Sequence, residues 1–155
     1  MRLLSRVVLA LSLTCAAGTA LAATPATTGL GKAWPNAQDF STNPNFHVYV
    51  FAMGGVQYIQ VNDVNGNVLG SVGAAGGQFI TLPIGLFAQQ VTTPSQPAII
   101  STTAVPTAAP ATVYNDGQTT VTVTALNNGT LSLNAAVAQT TCDPIDCNIK
   151  GVTGP

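Results

Sequence analysis

Residues 46–72 read FHVYVFAM (46–53), GG (54–55), VQYIQVNDV (56–64), NG (65–66) and NVLGSV (67–72), and their register decides the fold. The three longer runs are rich in β-branched and aromatic residues. They break at Gly54-Gly55 and Asn65-Gly66, pairs that suit two-residue hairpin turns. A two-residue turn at Gly54-Gly55 pairs Met53 with Val56, hence Val50 with Ile59 and Val48 with Val61. A two-residue turn at Asn65-Gly66 pairs Val64 with Asn67, hence Val61 with Gly70 and Ile59 with Val72. Both registers gather Val48, Val50, Ile59, Val61, Val68 and Val72 on one face, and a one-residue slip in either turn scrambles it. The agreement of two independent turns predicts a three-stranded antiparallel meander.

Downstream, Gly73 to Gly77 is a flexible connection and Gln78 to Leu82 reads as a fourth strand, ended or confined to an edge by Pro83. Phe87 to Val91 reads as a short fifth strand. Residues 92–112 are Pro/Thr/Ala-rich, with Pro94, Pro97, Pro106 and Pro110. They suit an extended connector, or else supply an irregular strand through Ile99 and Ile100. From Val113 to Val137 the β pattern resumes, Val121, Val123 and Ala125 alternating with threonines. A three-residue Asn127-Asn128-Gly129 loop pairs Ala125 with Leu131, Val123 with Leu133 and Val121 with Ala135, keeping the apolar side chains together; a two-residue loop mixes the faces. The three-residue form puts Gly129 in the left-handed region, at a bulge. Two sheets with one apolar face each are expected to pack face to face. The fold class is therefore all-β: a small antiparallel β-sandwich or partly open barrel of about six to eight strands, with an extended N-terminal arm and a C-terminal tail.

The chain ends carry a different signal. Arg2 and Arg6, the apolar run Val7–Leu13 and Ala20-Leu21-Ala22 have the order of a secretory signal peptide, and the apolar run is too short to anchor in a bilayer. The expected organisation is a signal peptide at 1–22, an extended lead-in at 23–44, the meander half of the domain at 45–91, the connector at 92–112, a C-terminal hairpin at 113–141 and a tail at 142–155. In an exported chain Cys142 and Cys147 are expected to form a disulfide, closing a small ring that stabilises by roughly 2 kcal/mol. The destination is periplasmic or extracellular.

Composition excludes several kinds of chemistry. After the signal the charges are Lys32 and Lys150 against Asp39, Asp63, Asp116, Asp143 and Asp146, with no glutamate. No basic stripe exists for nucleic acid to bind. His47 is the only histidine, no carboxylate lies opposite it in register, and no serine occupies a Gly-x-Ser-x-Gly elbow. Asp63-Val64-Asn65-Gly66-Asn67 has its glycine at the wrong position for a calcium loop, and Ala74 stands where the bidentate glutamate belongs. Cys142 and Cys147 without histidine leave a zinc tetrahedron incomplete. The expectation is a protein that is not an enzyme and holds no metal or cofactor.

One sheet face remains, made of His47, Tyr49, Phe51, Tyr58, Gln60 and Asn62. Rings beside amides suit a sugar- or peptide-binding surface; equally, the lead-in arm around Trp34 or Phe40 is available to cover them. Thr/Asn/Gln-rich strands with little charge leave edges weakly protected against pairing with other chains. The leading expectation is an exported structural or interaction protein of a bacterial envelope, of the kind that forms surface assemblies, partnered by itself or another envelope protein through β-edges. The alternative is a monomeric ligand-binding module using the aromatic/amide face.

Overall fold

The computed structural model describes residues 27–99 and 103–139. The expected signal peptide at 1–22, the expected Cys142–Cys147 disulfide and Ile100 lie outside the described residues. Among the described residues eight strands form two four-stranded sheets that do not close into a barrel, a small β-sandwich. The first sheet is the meander β1 (Phe46–Met53), β2 (Val56–Asp63), β3 (Val68–Ala75) and β4 (Gln78–Thr81), in that spatial order. The second contains β5 (Val91–Thr92), β6 (Ala111–Asn115), β7 (Thr119–Ala125) and β8 (Leu131–Val137), ordered β5-β8-β7-β6.

The Gly54-Gly55 turn has the expected register, Met53 opposite Val56 and Val48 opposite Val61, with both glycines at positive φ. The Asn65-Gly66 turn does not. Asp63 bonds Asn67 through its main-chain N–H, and its carboxylate accepts the N–H groups of Asn65 and Asn67 and the Asn67 side-chain amide. That carboxylate stabilises a three-residue loop, Val64-Asn65-Gly66, which displaces the pairing by one residue. A β-bulge between Val61 and Asn62 takes up the displacement, so that Val61 still faces Gly70 and Ile59 still faces Val72. The extra residue is Leu69. It is buried in the core, whereas Val68, expected on the core face, is only half-buried.

In the second sheet the three-residue loop is present: Ala125 faces Leu131, Val123 faces Leu133, Val121 faces Ala135, and Gly129 has φ +79°. Here the expected hairpin is extended by β6, whose bulge at Val113 turns both Val113 and Tyr114 inward. The fifth strand is shorter than expected, because Ala88–Gln90 forms a 3₁₀ turn and only Val91–Thr92 pairs. It lies parallel to β8, a departure from the antiparallel pairing of the other described strands. The connector contributes pairing, though Ile99 forms no strand: its N–H bonds the Gln89 carbonyl and its side chain is 75% exposed. Instead Val105 and Thr107 bond Asn127 and Ala125, prolonging the β6 side of β7.

The core lies between the sheets: Val48, Ile59, Val61, Leu69, Val72 and Phe79 from one, Val91, Val113, Val121, Val123, Leu133 and Ala135 from the other, with Val50 partly buried against them. Gly70 allows the sheets to meet, since a Cβ there would lie 2.9 Å from Val91 Cγ2 and 3.0 Å from Leu133 Cδ2.

Candidate functional site: the arm-covered face and the open edge

Alternation along β1 and β2 puts His47, Tyr49, Phe51, Tyr58, Gln60 and Asn62 on the face away from the core, and the arm lies across part of it. Gln60 and Asn62 are fully buried. The Gln60 Oε1 accepts the Gly31 N–H at 2.6 Å, and its Nε2 donates to the Lys32 carbonyl and to Asn62 Oδ1, both at 2.8 Å. Asn62 Nδ2 donates to the Ala33 carbonyl at 2.7 Å. The two amides thus satisfy main-chain groups of a segment that has no sheet partner of its own. Tyr49 and Phe51 are buried, while Tyr58 and His47 are half-buried.

His47 has a partner that strand register did not reveal. Its Nδ1 lies 2.6 Å from Asp39 Oδ2, while Asp39 Oδ1 accepts the N–H groups of Val48 and Ser41, both at 2.9 Å. Asp39 stands on the arm, bridged to Tyr49 of β1. Trp34 meets the imidazole edge-on at 5.4 Å and Tyr49 stacks on it at 6.3 Å. Burial works to raise the Asp39 carboxyl, but the hydrogen bonds from His47, Val48 and Ser41 together with the His47 charge outweigh it and hold the carboxyl below its ordinary value. Burial, then the nearby Asp39 charge, pushes the Tyr49 hydroxyl up. Among the described residues no hydroxyl hydrogen-bonds His47, so the pair is placed to hold the arm on β1.

The same arm closes one side of the sandwich. Phe40 donates its N–H to the Val48 carbonyl of β1, and Thr42 donates its N–H to the Val113 carbonyl and its hydroxyl to the Thr112 carbonyl of β6. The other side is open. The Leu133 carbonyl accepts the Thr92 hydroxyl of β5 at 3.2 Å, so alternation turns Ala135 and Val137 to this side as well; the parallel pairing of Thr92 with Asn134 engages the Ala135 N–H, and the Ala135 carbonyl and the Val137 main-chain groups lie beyond the end of β5. On β4, Thr81 turns its N–H outward to Gln96 Oε1, so Phe79 also directs its main-chain groups outward. Val137 and Ile80 are exposed beside this edge. Residues 68–115 contain no charged residue, and neither do residues 117–139. Lysine, the usual protection of an edge strand, is missing from it; Pro83 and Pro94 flank β4 and β5 without covering β8.

Among the described residues no three His, Cys, Asp or Glu side chains cluster as metal ligands, and no helix is long and apolar enough to cross a membrane. Compared with protein-family models, with characterised proteins and with solved structures, the chain matches none.

Proposed function

We propose that this chain is an exported structural or interaction protein of a bacterial cell envelope, in the periplasm or outside the cell, and that it associates through the β4/β8 edge with another copy or another envelope protein. The observation that carries the reading is the asymmetry of the sandwich. One side is bonded by the arm at Val48, Thr112 and Val113, while the other offers the outward main-chain groups of Phe79 and Val137 and the Ala135 carbonyl with no charge nearby. Adding a strand to such an edge supplies main-chain hydrogen bonds and covers Val137 and Ile80 together. The signal-like order of residues 1–22 supports export. Binding of a ligand by the His47–Asn62 face has no observation in its favour, because Gln60 and Asn62 already bond the arm.

The test is the concentration dependence of mass for residues 23–155, oxidised, beside Val137→Lys and Val137→Pro. Val137 directs its N–H outward, so proline removes a donor that no internal bond uses. Association weakened about tenfold or more by both variants, with melts within about 0.5 kcal/mol of the parent, is the expected result. Association indifferent to both would place the contact elsewhere.

A further inference from the structure

We propose that a second surface, the cleft between the arm and the open end of the sandwich, binds an uncharged carbohydrate, with Phe40 as stacking platform and Asn36, Gln38 and Gln57 as hydrogen-bonding rim. The cleft measures about 610 Å³ and is walled by the arm, by Val50 of β1, by Gln57 of β2 and by Tyr114 of β6. That size falls within the ordinary range of small-ligand sites. The proposal is independent of association through the β4/β8 edge, on the other side of the molecule.

Four features select the ligand. First, the amides differ in kind from those beneath the arm. Gln60 and Asn62 are buried and fully engaged, whereas the side chains of Asn36, Gln38 and Gln57 are exposed and make no hydrogen bond among the described residues. Each offers a donor and an acceptor side by side, which matches neighbouring hydroxyls of a sugar ring. Second, Phe40 is 44% exposed although its main chain is fixed to Val48, so its ring presents an apolar face without a flexible backbone.

Third, no cation lines the cleft, so it has nothing to neutralise a phosphate or carboxylate. Its one anion, Asp116, is already held in place by the N–H groups of Gln118 and Thr119 and by the Tyr114 hydroxyl. Fourth, the arm occupies the β1 edge at Val48 and Tyr49, which leaves an extended peptide only the short end of that ladder at residues 50–52. The neighbouring cleft of about 540 Å³, lined by the glycine turns at residues 55, 76–77 and 117, has no aromatic wall and offers no such platform.

Amide chemical-shift mapping and calorimetry on oxidised residues 23–155, with maltohexaose, cellohexaose and N-acetylchitohexaose as probes, test the proposal. At least one probe is expected to shift Phe40, Gln57 and Tyr114, and Phe40→Ala to weaken its binding about tenfold. Gln57→Ala is expected to weaken binding severalfold. Because Gln57 stands on β2 and bonds nothing in the arm, its variant remains informative even if Phe40→Ala unseats the arm. Trp34→Ala, which removes an exposed ring outside the cleft, should leave affinity within twofold. The absence of shifts with every probe at about 10 mM, shifts confined to residues outside the cleft, or affinity unchanged by both Phe40→Ala and Gln57→Ala would each overturn the proposal.

Discussion

Single residues decide how tightly the arm is held and how the protein responds to pH. Replacing Gln60, whose side chain is fully buried, by Leu removes an acceptor from the Gly31 N–H and a donor from the Lys32 carbonyl. The expected loss is about 1–3 kcal/mol in urea unfolding, with faster hydrogen exchange at Gly31. Unchanged exchange there would mean that other contacts hold the arm. Asp39, Asp63 and Asp116 all have carboxyls held below their ordinary value. At Asp63 the Asn67 side-chain amide leads; at Asp39 and Asp116 burial opposes, and hydrogen bonds from His47 and main-chain N–H groups at the one, and from main-chain N–H groups and the Tyr114 hydroxyl at the other, prevail. A carboxyl whose folded pKa lies below its unfolded value binds its proton more readily when unfolded. Its contribution is therefore present above about pH 4 and lost as pH falls through the folded value. Thermal melts should decline from pH 5 to pH 3, and Asp116→Asn should flatten part of that decline. Tyr49 and Tyr114 are both shifted up, first by burial and then, for Tyr114, by its bond to Asp116. The unfolded chain thus loses these protons first, and stability should also decline above about pH 10.

At the scale of elements, glycines in the left-handed region fix the turns, and their surroundings predict unequal costs of replacement. Gly85 has φ +111°, and a Cβ there would lie 2.5 Å from the Leu69 carbonyl carbon; Gly117 has φ +84° with nothing within 4 Å. Gly117→Ala should cost about 1–2 kcal/mol from backbone strain alone, while Gly85→Ala should exceed about 3 kcal/mol because β3 must move. Equal losses in urea melts would contradict the close approach. Similarly, Gly129→Val should cost more than Asn127→Ser, which loses only an exposed bond to the Val105 N–H. The meander, the Gly129 loop and the two-sheet packing were legible in the sequence because alternation and turn residues agreed over many positions. The Asn65-Gly66 loop was misjudged by one residue because the Asp63 carboxylate, not the Asn-Gly pair, decides its length. The bulge at Leu69 cancels that error downstream, so the apolar pattern alone gave no warning; Val68 and Leu69 serve equally well as core residues on paper. The aromatic/amide face was legible as a set of residues. Its covering was not, since Gly31, Lys32 and Ala33 offer only main-chain groups and Asp39 reaches His47 from a segment without periodicity.

Across the whole molecule, charge and edge protection are divided between two sides. Among the described residues, Lys32 and Asp39 lie on the arm, Asp63 ends β2, Asp116 stands in the turn after β6, and β3 to β8 carry no charge at all. The arm side therefore has β1 and β6 bonded by the arm and the Asp39 carboxylate hydrogen-bonded to His47, and the β4/β8 side has open main-chain groups with Val137 and Ile80 exposed. Uncharged open edges favour pairing with another chain. The most direct measurement is light scattering on size-exclusion eluate of residues 23–155, purified oxidised, over a wide range of concentration. Mass that rises with concentration and returns to that of the monomer in Val137→Lys is the result expected of association through this edge. A monomer at every concentration, or oligomers that Val137→Lys leaves intact, would contradict self-association there.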